Sequence, residues 1–244
     1  MADMTTKRSA VIASLAASAL AGGTLLTALA GGSPAQAAGP DPADFAHPKA
    51  NPYFPLRHGL VTRLRGSDGG EHFREVVRIT HHTKVIQGVR TTVVRDVVHR
   101  ADGTLAEQTH DWYAADNGGT VWYFGEQTAT YRRDGSVESR EGSWQAGVDG
   151  ARAGKVMPAD PHPTQAFRQE FHSGDAEDQA WIVQDNATRT VPAGTYDHVV
   201  RSLEWSQLEP GVVSVKFYAP GVGIISEHDM SGGNETFELL SVHR

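Results

Sequence analysis

The chain has 244 residues, 39% of them hydrophobic, no cysteine, and a formal net charge of −7. Without cysteine there is no disulfide scaffold, no thiol nucleophile and no thioether lipid anchor. An acidic chain without clustered Lys and Arg excludes nucleic acid and anionic membrane as partners, because both need their phosphates neutralised.

Lys7 and Arg8 form a short positive start, and no charged residue follows from Ser9 to Gly32. The run closes on Ser33-Pro34-Ala35-Gln36-Ala37, a small-x-small cleavage site. Residues 1–37 therefore read as a secretory signal peptide cut after Ala37. The alternative is a membrane anchor, since the run is long enough to span a bilayer, but its Gly, Ser and Thr content and the cleavage site favour the signal. The mature chain is then secreted or otherwise extracytoplasmic, with no stable membrane span once the signal is cut. It is also one unit more acidic, because Asp3, Lys7 and Arg8 leave together.

Residues 38–55 hold five prolines and no periodicity, so they read as an extended N-terminal segment, flexible at its start. From 56 to 244 turn signals recur at strand-length intervals: Gly66–Gly70, Gln87-Gly88, Asp102-Gly103, Asn117-Gly118-Gly119 and Asp134-Gly135. Between them lie runs of Val, Thr, Ile, Tyr, Trp and Phe such as Val89–Val98 and Thr120–Tyr131, which suit a pleated, half-buried surface. Residues 142–165 interrupt the pattern with Gly and Pro and read as a long crossover loop. Strand patterns return over Ala166–His172, Gln179–Gln184, Tyr196–Ser206, Val212–Tyr218, Gly223–His228 and Glu235–His243. Ala176–Val183 offers the one short helical stretch. The expectation is an all-β protein: a single domain over 56–244, an antiparallel meander forming a strongly curved sheet or half-barrel, with little helix.

Several segments carry a resemblance. They are Asn51–Leu56, Lys84–Val98, Asp111–Ala114 with Val121–Glu126, Gly142–Ala151, Met157–Ala159, Arg168–Glu170, Ala176–Asp178 and Tyr218–Gly223. Through these the chain resembles a widespread group of uncharacterised exported bacterial proteins. Tyr218–Gly223 with Val191–Tyr196 is also similar to domains of unknown function whose half-barrel is like that of bacterial lipoprotein carriers. The resemblance spans about residues 51–229 and implies the fold, with no catalytic residue to transfer. One departure is plain: lipoprotein carriers pack helices inside their concave sheet, and no helix here is long enough.

The turns allow a register argument. A two-residue turn at Gln87-Gly88 and another at Asp102-Gly103 place His81, Val94 and Asp111 side by side, followed by Ile79, Asp96 and Thr109. A three-residue loop at Asn117–Gly119 sets Tyr113 opposite Tyr123 on that same face. A carboxylate on a largely apolar face must be hydrogen-bonded or paired, or its pKa rises. Asp96, Asp111 and His81 are thus the candidate acid–base residues on the floor of a pocket. The simpler reading is internal satisfaction, with Asp111 bonded to His81 or a tyrosine hydroxyl and Asp96 to Thr109. The other face carries Trp112, Trp122 and Phe124 with a row of Arg95, His110 and Glu126. It is either a ring-stacking surface for a ligand or ordinary core beside a solvated strip.

Acidic loops, chiefly Asp175, Glu177 and Asp178, have the oxygen-rich character of calcium sites without the spaced loop motif, and a solvated loop is the alternative. No metallopeptidase, nucleophile-elbow or phosphate-binding motif is present.

Three readings follow. First is a non-enzymatic protein that binds an apolar or amphipathic small molecule, or a lipid-like one, through Tyr113, Tyr123, Trp112, Trp122 and Asp111. Second is a secreted enzyme using Asp96, Asp111 and His81. Third is a calcium-stabilised structural or envelope-associated module. No cofactor is required by the first, and nothing in the sequence specifies an oligomeric state.

Overall fold

The computed structural model describes residues 39–244, so the segment read as a signal peptide lies outside the described residues. It opens with a 3₁₀ turn, Pro42–Phe45, capped by the Asp41 side chain. Fifteen strands follow. In the first half they are β1 Val61–Asp68, β2 Glu71–Ile86, β3 Val89–Arg100, β4 Leu105–Ala115, β5 Val121–Tyr131, β6 Val137–Ser139, β7 Trp144–Gln145 and β8 Arg152–Met157. The second half supplies β9 Ala166–Arg168, β10 Glu170–Phe171, β11 Asp178–Val191, β12 Gly194–Ser206, β13 Val213–Ala219, β14 Gly223–Ser231 and β15 Thr236–His243. No helix among the described residues is long and apolar enough to cross a membrane.

All pairings are antiparallel, in the order β10-β8-β5-β4-β3-β2-β1-β15-β14-β13-β12-β11-β9, with β6 and β7 on the side of β5. The sheet curls into a nearly closed barrel. One short segment joins its two ends: β9 pairs with β11, and β10, two residues on, pairs with β8. Between them the Gln169 amide donates to the Asp178 carbonyl at 2.8 Å. A Cβ at Gly154 on β8 would collide with the Gln169 backbone, so glycine is what lets the two edges approach.

Two features of the sequence reading change. The segment 142–165 is not a bare loop, because it contains β7 and β8, which pair with β5. Ala176–Val183 forms no helix; a bridge between His172 and Ala176 leads directly into β11. There the alternation of buried Ala180 and Ile182 with outward Trp181 follows the two-residue strand period.

Register decides what faces inward. Gln87 (φ 48°) and Gly88 (φ 82°) make the two-residue turn as expected, and Ile86 pairs with Val89. The β3–β4 turn has three residues, Ala101–Gly103, with Gly103 at φ 86°. A bulge between Val98 and His99 restores the expected pairing, including Val94–Asp111 and Asp96–Thr109. Two other bulges were not legible. In β2, Thr80, His81 and His82 stand opposite Val93 alone, so Ile79 rather than His81 pairs with Val94. The Thr80 hydroxyl fastens this bulge to the Val93 carbonyl at 2.6 Å. In β5, Gly125 at φ 123° shifts the register so that Glu126 pairs with Asp111.

The apolar core forms two clusters. One gathers Tyr113, Tyr123, Trp144 and Ile79, with Phe45 and Phe54 of the N-terminal segment packed against it. The other includes Leu64, Phe73, Phe217 and Leu239, together with Ala187, Val191 and Val199 near the tip of the β11–β12 hairpin. Ala193 at that tip donates to the Leu239 carbonyl at 3.0 Å.

Candidate functional site

The barrel interior is lined with carboxylates. Glu75, Asp96, Glu107, Asp111, Glu126, Glu170, Glu204 and Glu227 are all buried, and Lys216 is the one buried Lys or Arg among the described residues. Period-2 geometry puts them there, because each sits on the inward set of its strand: Phe73, Glu75, Val77 and Ile79 on β2, for example, and Val94, Asp96 and Val98 on β3.

A cavity of about 90 Å³ opens among them. Its wall is divided. Leu60, Leu64, Val77, Ile79, Val94 and Ile224 form an apolar side, and Glu75, Asp96, Asp111, Tyr113, Lys216 and Glu227 a polar one. Phe54 and Pro55 cover it from the N-terminal segment, and the Val222–Ile224 corner covers it from β14. Phe54 meets the Tyr113 ring edge-on at 4.9 Å. Asn51 anchors that cover. Its amide donates to the Gly119 and Pro158 carbonyls, both at 2.8 Å, and its oxygen accepts from the backbone of Tyr53 and Phe54.

The carboxylates differ sharply in how they are satisfied. Glu204 accepts from Lys216 Nζ at 3.1 Å, Tyr218 and Ser202 hydroxyls at 2.7 Å each, and the Gln169 amide at 3.1 Å. Burial pushes its pKa up, but Lys216 and these donors outweigh burial and hold it below its ordinary value. Lys216 also lies 3.8 Å from Glu227. Burial works against its charge, and the two glutamates win, raising it well above the usual lysine value.

Asp96 has no such cation. Burial lifts it to about 8, opposed by a hydrogen bond with the Glu75 carboxyl and reinforced by Asp111, Glu107 and Glu227. Glu75 rises as well, by burial first and then by the Asp96 charge, so the titrations of the two carboxyls are linked. Asp96 Oδ1 is buried with no group donating to it. Asp111 accepts from the Tyr123 hydroxyl at 2.8 Å and still rises to about 7, because burial outweighs that bond. The Tyr113 hydroxyl lies beside the same carboxyl but outside good hydrogen-bond geometry. Tyr113 and Tyr123 stack at 4.6 Å, and Trp144 closes on Tyr123 edge-on at 5.3 Å. Behind them Trp144 donates to Glu170 at 2.9 Å, and both Glu126 oxygens are buried and unpartnered.

The structure thus brings together Asp96, Asp111, Tyr113 and Tyr123 of the sequence-derived candidates. It separates the others. His81 is exposed on the β2 bulge and stacks on His58 at 5.1 Å, away from the cavity, so it is no partner to Asp111. Trp112 lies on the opposite face under Lys84 Nζ, 3.2 Å from its ring centre. Trp122 is there too, packed on Phe45 and donating to Asp116 at 3.0 Å. Glu126, placed with Arg95 and His110 by the unbulged register, is interior instead. Asp175, Glu177 and Asp178 do not converge: Asp175 pairs with His172 at 3.0 Å, Glu177 accepts from Gly174 at 3.0 Å, and Asp178 follows the inward set of β11. Among the described residues no group of three or more His, Asp or Glu side chains is arranged to hold a metal ion. Sequence reasoning missed Glu75, Glu204, Lys216 and Glu227, although extending the β2 alternation from Phe73 through Val77 marks Glu75 as inward.

No family model matches the chain, and no curated protein does. Among solved structures the chain is similar to a protein from Bacteroides fragilis described as exported and as having a YmcC-like fold, with 12% identity and a TM-score of 0.46, over 80% of this chain and 100% of that one. It is also similar to a protein from Parabacteroides distasonis described as a lipoprotein, with 12% identity and a TM-score of 0.43 over the same shares. At these values neither carries a site residue across.

Proposed function

We propose that the chain is a non-enzymatic binding protein, working outside the cytoplasm, that takes a small amphipathic molecule into the barrel cavity. The observation that supports this is the divided wall: aliphatic side chains on one side, and on the other buried acids, among them Asp96, whose Oδ1 has nothing donating to it. Pockets that recognise small molecules combine an apolar body with a few placed polar groups, and a buried acceptor left unfilled costs about 1–3 kcal/mol. A volume of 90 Å³ suits a molecule of a few heavy atoms, since about 150 Å³ already admits benzene. An acyl chain does not fit it.

Native mass spectrometry of the protein purified from its own host tests the reading. An excess mass that vanishes on denaturation is the expected result. No excess, together with no rise in melting temperature across a panel of small amphipathic molecules, overturns it. A second reading, acid–base chemistry, is favoured by the two neighbouring buried acids Glu75 and Asp96, both raised and both lining the cavity, as in carboxyl dyads of hydrolases. It ranks behind binding because the cavity wall holds no histidine and no activated nucleophile.

A further inference from the structure

Resting on the binding reading, the geometry points to a small organic ammonium ion as the ligand, its cationic nitrogen on Asp96 and Tyr113 and its short hydrocarbon body against Val77, Ile79 and Val94. Three observations converge on it. First, four carboxyl groups face the cavity, Glu75, Asp96, Asp111 and Glu227, against the single cation Lys216. Second, that lysine is committed, held by Glu204 at 3.1 Å and Glu227 at 3.8 Å, so its charge does not compensate Asp96. Third, Asp96 and Tyr113 both line the cavity, both are more than nine-tenths buried, and each carries a side-chain oxygen, Asp96 Oδ1 and Tyr113 Oη, that has no hydrogen-bond partner and can accept. An alkylammonium presents three N–H donors to such a pair, and charge-assisted hydrogen bonds in a dry site are about twice as strong as neutral ones.

The alternatives fit less well. A carboxylate or phosphate ligand would meet the Glu75–Asp96 pair and Asp111 head-on, with Lys216 already engaged. A neutral alcohol fills the same space but donates one hydrogen bond and, having no charge, gains nothing from ionisation of the wall's carboxyl groups. A bare metal ion needs several converging oxygens, and no such set of side chains exists among the described residues. The apolar half of the wall also gives a bare ion nothing to bind.

The test uses three probes of one carbon skeleton, propylammonium chloride, 1-propanol and sodium propionate, titrated into the purified protein at constant ionic strength and followed by calorimetry and thermal shift. The expected result is propylammonium binding at least about tenfold more tightly than 1-propanol, and no binding of propionate. In Asp96→Asn the ammonium preference should fall to the level of the alcohol. His81→Ala, on the exposed bulge away from the cavity, should retain the preference, and a native circular-dichroism spectrum of Asp96→Asn guards against a misfolded first variant. Equal binding of 1-propanol and propylammonium overturns the inference while leaving the binding reading intact. So does full competition by potassium chloride, which would mark a site for bare cations. Failure of all three probes overturns the inference as well, and the native mass measurement then decides the broader reading by itself.

Discussion

The carboxyl groups of Glu75 and Asp96 are hydrogen-bonded to each other across β2 and β3, inside the barrel and against the cavity. Two acids in that position must hold at least one proton between them, which ties the stability of the fold to pH. Asp96 ionises near 3.8 ordinarily and at about 8 here; Asp111, Asp178 and Glu227 are lifted to about 7. Between those limits the folded chain binds protons that the unfolded chain has released. Stability is therefore greatest on the acid side and falls as pH rises toward 8, each excess proton contributing a slope of up to about 1.4 kcal/mol per pH unit. Glu204, held low by Lys216, acts in the opposite sense and only toward the acid end of this window. Urea unfolding at pH 5, 6, 7 and 8 should show the decline, and Asp96→Asn should make it shallower, with Asp111, Asp178 and Glu227 supplying the rest, while leaving stability at pH 5 nearly unchanged. A wild-type curve that climbs with pH contradicts the protonated interior.

Lys216 carries the opposite lesson. It neutralises Glu204 and Glu227 from the middle of the barrel, and its removal strands two buried carboxylates. Lys216→Met should destabilise by about 3–5 kcal/mol at pH 7, the usual cost of breaking a buried ion cluster from one side. The loss should shrink in the double variant Lys216→Met with Glu204→Gln, because the charge that needed the lysine is gone. Equal losses in the single and double variants, measured by chemical denaturation, would show that packing rather than charge holds this part of the interior.

The N-terminal segment closes the cavity through one side chain. Asn51 makes four hydrogen bonds while buried, two to carbonyls of distant loops and two that turn the chain toward Phe54. Asn51→Ala leaves those carbonyls without donors and should cost about 2–4 kcal/mol. Because Phe54 sits on Tyr113 only while that turn is held, limited proteolysis should cut within residues 45–55 in the variant and not in the wild type. Ligand affinity should fall in parallel. Unchanged cleavage would mean that Phe45 and Pro52 suffice to hold the cover.

How much of this the sequence reveals depends on where the turns are diagnostic. Asn117-Gly118-Gly119 sets the phase of β4 against β5 near their tips, which is why Tyr113 opposite Tyr123 is legible from residue positions alone, whereas Asp96 comes beside Thr109 because the bulge after Val98 offsets the extra residue of the Asp102-Gly103 turn. The same logic fails beyond a bulge, since one or two extra residues reverse or displace everything after them. His81 leaves the interior because residues 80–82 crowd opposite Val93, and nothing in Ile79-Thr80-His81-His82 announces that. In the second half, Val212–Tyr218 reads as a strand, but no short turn fixes its partners. The meeting of Lys216 with Glu204, diagonal neighbours across the β12–β13 pair, therefore appears only once the register of that pair is known. Arg168-Gln169-Glu170 is harder still: three consecutive residues serve two different strands, and only the closure of the sheet assigns them.

The bulge at Gly125 offers the most direct test of that reasoning. Its φ of 123° belongs to glycine, and a Cβ there would run into the Trp144 carbonyl of β7. The bulge is also what turns Glu126 inward, beside Asp111, rather than outward with Arg95 and His110. Gly125→Ala should therefore do more than strain one residue. It should cost at least about 2 kcal/mol from the backbone conformation and the collision together, and it should detach β7 from β5. With β7 loosened, Trp144 leaves the edge of Tyr123, so tryptophan fluorescence should shift to the red before global unfolding. Gln127→Ala, exposed on the same strand two residues on, serves as the control and should leave both readouts nearly unchanged. If Gly125→Ala melts with the wild type and keeps its fluorescence, the bulge is not what holds β5 in phase, and the inward placement of Glu126 must have another cause.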